Sequence, residues 1–400
     1  MADQKTKNKT IGRPNRFLYG LAYHALRPLY KRRYGLEFDC ADLADLRGPA
    51  LVIAPHTSNK DHWLIGMALY PHRPTFVVSR HFMAKPKLRP ILREAHVITK
   101  RMFCPDVGTV MDVLRAKREG NVIVLFPEGR LACNGRTGTV TDGTAELAKK
   151  LGIPVYVVTA NGASCTFPKW AKKPRRGKIL VTGRRLLTAE EVAQLSPEDI
   201  HARMQAAIDH DDMAVMAGIR YRSRQMAEGL DGILYRCPAC HENFRMKTKG
   251  NRIFCTCGMA AELDEYYRLH GAPFETIAQW YDWQVSELST DTPLSTHARI
   301  GTPDARGDMD AAAGEADVFM DKDVFTVNGT LHGQPFSVTR RTDSIGAFPV
   351  TVGAQFDIYY NNTLYYIFPQ PDSRASVMWV AWLDRLMAER RAAGEIVQKP

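Results

Sequence analysis

Between residues 50 and 187 short apolar runs alternate with longer amphipathic stretches. The runs ALVIA, TFVVS, HVIT, VIVLF, VYVVT and KILVTG are strand-sized, and the residues near 59–70, 87–94, 107–118 and 144–151 carry helical spacing. Strand and helix in alternation predict an α/β layer fold. Upstream, residues 14–35 read as an amphipathic helix, with Phe17, Leu18, Leu21, Leu26, Leu29 and Tyr30 set among Arg and Lys and an interruption near Pro28. Downstream, residues 189–228 are helical in pattern and a Trp-rich helix is expected near 274–288. The stretch GTPDARGDMDAAAGEAD, rich in Gly, Ala and Asp, predicts a mobile loop. Residues 317–368 then give short strands with turns at Asn328–Gly329 and Asn361–Asn362, where the Asn-x-Thr triplets read as hairpin chemistry rather than as glycosylation signals. A last helix, near 373–393, carries Trp379 and Trp382 at a spacing that suits a core. No internal repeat is visible.

Length and charge sharpen this picture. Four hundred residues call for two or three hydrophobic cores. The longest apolar runs, at 50–55, 122–127 and 153–159, fall far short of the ~18 residues of a membrane span. With no secretory apolar core at the N-terminus, a cytoplasmic location is expected. The net charge of +11 is concentrated in two places. Residues 1–35 hold nine cations against Asp3 alone, and residues 169–185 hold eight cations and no carboxylate. Local basicity of this kind predicts a polyanionic partner, either nucleic acid or an anionic lipid surface, unless the clusters are merely solvated faces.

Candidate chemistry lies at the ends of the predicted strands. The first ends in APHTSNKDHWLI, which sets His56 and Asp61 across a strand-to-helix junction. There the carboxylate can hold one ring nitrogen while the other acts as a base. Ser58 lies so close along the chain that it is not assigned as the nucleophile, and the attacking hydroxyl could instead be the substrate's own. The plainer alternative is a helix cap by Ser58 or Asn59 beside a surface histidine. A second strand runs into VIVLFPEGR, placing Glu128, Gly129 and Arg130 where ligands bind in α/β sheets. Arg130 offers a planar fork for phosphate, and Lys100 and Arg101, after the strand HVIT, could reach the same rim. Alternatively Arg130 and Glu128 pair with each other and close a turn.

These blocks resemble the glycerolipid acyltransferases typified by 1-acyl-glycerol-3-phosphate acyltransferase. His56-Thr57-Ser58-Asn59-Lys60-Asp61 matches the family's H-x4-D motif, Phe126-Pro127-Glu128-Gly129 its FPEG block, and Ile153-Pro154-Val155 the apolar-proline block that follows. The resemblance covers residues 15–190. It implies that His56 is the general base, that Asp61 orients it, and that residues 126–130 with Lys100 or Arg101 bind substrate. It further implies that a lipid hydroxyl attacks the thioester of acyl-CoA or acyl-carrier protein, giving an ester and a free thiol. The sequence departs from the family at Pro55, where Asn is common, and after FPEG, where Arg130-Leu131-Ala132 replaces Thr-Arg-Ser. Arg136, in the glycine-containing stretch that follows, offers an alternative anion contact.

Four of the eight cysteines, Cys237, Cys240, Cys255 and Cys257, form a CxxC and a CxC pair at the spacing of a tetrahedral zinc ribbon. With four thiolates the zinc would be structural, although the neighbouring His241 could replace one. Cys40, Cys104, Cys133 and Cys165 are scattered and read as ordinary thiols. Lys247, Lys249 and Arg252 lie inside the ribbon, yet AAELDEYYRL after it is acidic, so no nucleic acid is expected. The ribbon is similar to those that follow acyltransferase domains in bacterial proteins, which carries the resemblance to about residue 270.

The expected architecture is therefore an acyltransferase-type α/β layer domain, a small zinc ribbon, and a small β-barrel-like C-terminal domain with a terminal helix. In residues these are a basic amphipathic membrane-associating segment at 1–35, the acyltransferase domain at 36–225, the ribbon at 230–270, and a β-rich domain resembling a pleckstrin-homology barrel at 271–400. The expected function is O-acylation of a lysophospholipid, 1-acyl-glycerol-3-phosphate giving phosphatidic acid, on an anionic membrane surface at the cytoplasmic face. Two alternatives remain: another lyso-lipid acceptor, or a lipid-binding scaffold with a degenerate acyltransferase fold.

Overall fold

The computed structural model describes residues 10–102, 106–304, 308–361 and 363–395; the start of the basic segment, Cys104 and Asn362 lie outside the described residues. The chain forms two compact units. The first holds the residues up to Gly129, Arg136–Ala163 and Lys178–Val215; the second holds Arg130–Gly135, Ser164–Gly177 and the chain from Met216 onward. The chain passes between the units more than once, for the last time at Val215–Met216.

In the first unit the apolar runs become β1 (Leu36–Asp39), β2 (Ala50–Ile53), β3 (Thr75–Ser79), β4 (Ile98–Lys100), β5 (Val122–Leu125), β6 (Val155–Asn161) and β7 (Ile179–Leu187). They form one sheet in the order β1-β7-β6-β2-β5-β3-β4. Every residue of β2 and β5 is buried, as expected for strands covered on both faces. The strands from β6 to β4 are parallel, whereas β7 runs antiparallel to β6 and parallel to β1.

The helices are α1 (Arg16–Tyr34), α2 (Asp61–Ala68), α3 (Arg89–Glu94), α4 (Val107–Arg118), α5 (Asp142–Leu151), the short α6 (Ala163–Thr166), α7 (Ala189–Gln194), α8 (Pro197–Ile208) and α9 (Asp212–Val215). Ala145, Ala148 and Leu151 of α5 and Ile200 and Met204 of α8 share one core with Leu51, Ile53, Ile123 and Val155 of the central strands.

Helix α1 is continuous through Pro28, contrary to the expected interruption. Asn15 caps it by accepting from the Phe17 and Leu18 amides. Tyr19 Oη donates to Gly66 O at 2.6 Å, Tyr23 stacks on Tyr70 at 3.9 Å, and Tyr30 and Tyr34 are buried. Contacts on both sides of the proline hold the helix together although its ring removes one backbone bond.

In the second unit β8 (Met246–Lys249), β9 (Arg252–Cys255), β10 (Ala260–Leu263) and β11 (Leu269–His270) make a small antiparallel sheet. Helix α10 (Ile277–Ser286) begins with a Thr276–Gln279 capping box. Its buried Gln284 donates to Ile233 O and accepts from Tyr235 N. Seven antiparallel strands follow, β12 (Leu294–Pro303), β13 (Met309–Met320), β14 (Val324–Leu331), β15 (Gln334–Arg341), β16 (Val350–Thr351), β17 (Gln355–Tyr360) and β18 (Thr363–Pro369), in the order β15-β14-β13-β12-β18-β17-β16. Helix α11 (Ala375–Ala392) packs on this sheet, with Trp379 stacked on Phe356 and Trp382 fully buried.

Two expectations fail here. The Gly- and Ala-rich stretch expected as a loop contributes to β12 and β13, and Asn328–Gly329 lies within β14 instead of at a turn. Packing supplies the reason. A Cβ on Gly314 would sit 1.9 Å from Thr330 O, and one on Gly329 2.1 Å from Glu315 O, so the small residues let two strands approach closely.

Candidate active site

Parallel pairing sets Ile53 beside Leu125, so the segments leaving β2 and β5 emerge together at one edge of the sheet. The first carries His56 and, at the start of α2, Asp61; the second carries Phe126, Pro127 and Glu128. His56 Nδ1 and Asp61 Oδ2 are 3.0 Å apart. Asp61 is 1% exposed, and the same oxygen accepts the Ser58 amide at 2.8 Å. With Nδ1–H committed to the carboxylate, Nε2 carries the lone pair, and the side chain is 23% exposed. Phe126 lies flat on the imidazole, ring centres 4.2 Å apart at 20°. Burial raises the proton affinity of Asp61, opposed by the hydrogen bonds from His56 and Ser58 and reinforced by the charge of Asp212.

Glu128, 5% exposed, takes a backbone amide on each oxygen: His56 N at 2.7 Å and Gly138 N at 2.6 Å. Its carboxylate therefore joins the histidine loop to the segment that precedes α5. Gly129 closes the turn with φ +70°, donating to Phe126 O at 3.2 Å. Arg130, expected to offer its fork to a phosphate, belongs to the second unit, and Asp384 of α11 holds it there. The anticipated Arg130–Glu128 turn gives way to these two separate arrangements. Arg101 is drawn to Asp106, which accepts the Arg101 amide at 2.8 Å, stands 3.6 Å from its Nε and caps α4. Lys100 ends β4, three strands from β2, roughly 14 Å along the sheet. Ser58 is fully buried and its Oγ accepts the Lys60 amide at 3.2 Å.

A second buried His–Asp pair escaped the sequence reading. Asp212 Oδ1 accepts Gly162 N at 2.5 Å, just past β6, and lies 3.0 Å from His210 Nε2. The only sequence signal is an isolated H-x-D, and the pair closes the loop at the end of β6. The amides of Ser58, His56 and Gly138 that support the dyad carry no signal in sequence at all.

In the second unit the sulfurs of Cys237, Cys240, Cys255 and Cys257 lie within 4.8 Å of one another. Two of the separations are 3.7 and 3.8 Å. A tetrahedral ion with ~2.3 Å bonds to sulfur puts its ligands about 3.8 Å apart, so four thiolates here fit a metal ion. Disulfides, at ~2.05 Å, do not fit. His241 is turned away: Nδ1 stands 3.5 Å from Glu287 and the ring sits edge-on to Trp283.

The acyltransferase family model matches residues 32–161, the segment that holds His56, Asp61 and Glu128. Among solved structures, a 1-acyl-sn-glycerophosphate (LPA) acyltransferase from Thermotoga maritima is similar at 16% identity and a TM-score of 0.41, over 48% of this chain and 77% of that one.

Proposed function

We propose, from the premise that residues 32–161 form an acyltransferase-family domain, that the protein esterifies the free hydroxyl of a lysophospholipid with an acyl chain from a thioester donor. The acceptor that best suits the reading is 1-acyl-glycerol-3-phosphate, giving phosphatidic acid, with acyl-CoA or acyl-carrier protein as donor. One observation carries it: a half-buried imidazole held at Nδ1 by a buried carboxylate, which leaves Nε2 to act as the base.

In this mechanism Nε2 removes the proton of the acceptor hydroxyl as its oxygen attacks the thioester carbonyl. Asp61 keeps the ring in the right tautomer and stabilises the imidazolium that forms. Collapse of the tetrahedral intermediate breaks the C–S bond, and the imidazolium returns the proton to the leaving thiolate. Glu128 fixes the backbone from which His56 projects, and Phe126 fixes the plane of its ring. Lys100 remains the candidate for the acceptor's phosphate. Zinc is the metal we assign to the four cysteines, in a structural role.

Helix α1 supports a peripheral membrane location. Phe17, Leu18, Leu21 and Leu29 are exposed on the side away from its packed tyrosines, among Arg and Lys. No helix of the described residues is long and apolar enough to cross a membrane.

The deciding experiment is mass spectrometry of the products formed from mixed lysolipids and an acyl thioester. His56→Ala should lower acyl transfer ~10²-fold or more while leaving the circular dichroism unchanged. An active alanine variant would remove the histidine from the reaction.

A further inference from the structure

Among the described side chains from Arg80 to Arg93, none is buried. This segment leaves the carboxyl end of β3 as a 3-10 turn (Arg80–Ala84) and continues into α3, which buries no residue. It emerges at the same sheet edge as His56, because β3 lies parallel to β5 and β5 to β2. With no described side chain fully buried, most of the segment's chemistry faces outward.

Phe82, Leu88 and Ile91 are 36%, 38% and 56% exposed. Scattered exposed apolar residues are ordinary, but three within ten positions and no buried counterpart make a patch. Arg80, Lys85, Lys87, Arg89 and Arg93 are interleaved with them, and no carboxylate occurs before Glu94. Among the described residues Lys85, Lys87, Arg89 and Arg93 form no ion pair, and the Lys85 ammonium lies 5.6 Å from the centre of the Phe82 ring. Glu94 at the far end accepts Asn15 N at 3.3 Å, which joins the segment to the first turn of α1 and its exposed Phe17 and Leu18.

We propose that residues 80–93 form a second lipid-docking surface, distinct from α1, that binds an anionic bilayer. Its apolar side chains would enter the headgroup boundary while the cations meet lipid phosphates. The Glu94–Asn15 link to α1 favours a bilayer over an acidic protein, since a lipid surface would accept cations and apolar side chains from both segments. The inference leans on the proposed acyl transfer only for its biological sense, because the surface would bring the mouth of the His56 site to where a lyso-lipid resides.

The test is cosedimentation of the full-length metal-loaded protein with vesicles of phosphatidylcholine alone and of phosphatidylcholine with one quarter phosphatidylglycerol. Wild type should partition more strongly onto the anionic vesicles. The double variant Lys85→Gln, Lys87→Gln should bind them about 30-fold more weakly, and Phe82→Ser, Ile91→Ser should weaken binding to a similar degree. Both should acylate a short-chain, vesicle-free acceptor at the wild-type rate, which also shows that they fold. Double variants that partition as wild type does, or equal wild-type binding to both vesicle types, would overturn the proposal. So would unchanged partitioning accompanied by weaker binding of an acidic acyl-carrier protein, which would make the surface a donor dock. Wild type that binds vesicles but transfers no acyl group would instead sink the proposed reaction and leave this surface standing.

Discussion

Glu128→Gln separates a carboxylate that positions the base from one that touches substrate. In the wild type its two oxygens accept His56 N at 2.7 Å and Gly138 N at 2.6 Å. A hydrogen bond to a charged group contributes about 1.5–3 kcal/mol, and a neutral one nearer 1 kcal/mol. Glutamine keeps one acceptor and turns an NH₂ toward the other amide, so one charged bond is lost and the other weakened, about 2–5 kcal/mol in all. The histidine loop or the 138 segment must then move. A shift of about 1 Å in a catalytic group lowers turnover roughly 10²-fold. Steady-state kinetics should show that loss in kcat, with KM for the acceptor nearly unchanged and the pH profile of kcat/KM keeping its shape. A variant that instead raised KM alone, or removed a limb of the pH profile, would refute the positioning role and make Glu128 a substrate or proton contact.

Further outcomes follow from the same geometry. Burial raises the proton affinity of Asp61, so folding favours its neutral form; stability falls as pH rises from the ordinary carboxylate range through the higher native value. Asp61→Asn should therefore unfold at a temperature no lower than wild type at neutral pH while losing acyl transfer, and a lower melting temperature would show the ionised carboxylate to be net stabilising. Chelation or Cys255→Ser should remove one bound zinc per chain, measured by elemental analysis, and open residues 237–257 to protease; full resistance would dismiss a structural metal. Leu21→Asp with Leu29→Asp on α1 should weaken vesicle cosedimentation at least tenfold, given about 1.5–3 kcal/mol for each leucine buried in an apolar phase. Unchanged sedimentation would mean that this face stays in water.

The pairing of His56 with Asp61 was legible in the sequence. The H-x4-D spacing carries both partners of the dyad within one strand-to-helix turn, and the structure joins them at 3.0 Å. The cysteine pairs were equally readable, since their CxxC and CxC spacing brings four sulfurs together within 4.8 Å, as a thiolate metal site would need. Other parts of the reading were altered by distant contacts. Arg130, whose fork directly after FPEG reads as a phosphate contact, pairs with Asp384, 254 positions away. Pro28 looks like a helix break, and the tyrosines on either side carry the helix through it. The Gly- and Ala-rich stretch resembles a loop because a local pattern does not register a strand that needs small residues for close approach.

Local sequence thus accounts for the alternation that builds the sheet, the residue types of the His56–Asp61 pair and the four-cysteine cluster. Each depends on the periodicity or chemistry of neighbours a few positions apart. The tertiary structure alone decided that β7 reverses direction, that α1 turns its tyrosines inward and its leucines out, and that Glu128 grips the backbone of His56 from 72 residues away. Those outcomes turn on which surfaces exclude water together and on backbone amides identical at nearly every position, so no local sequence pattern can mark them.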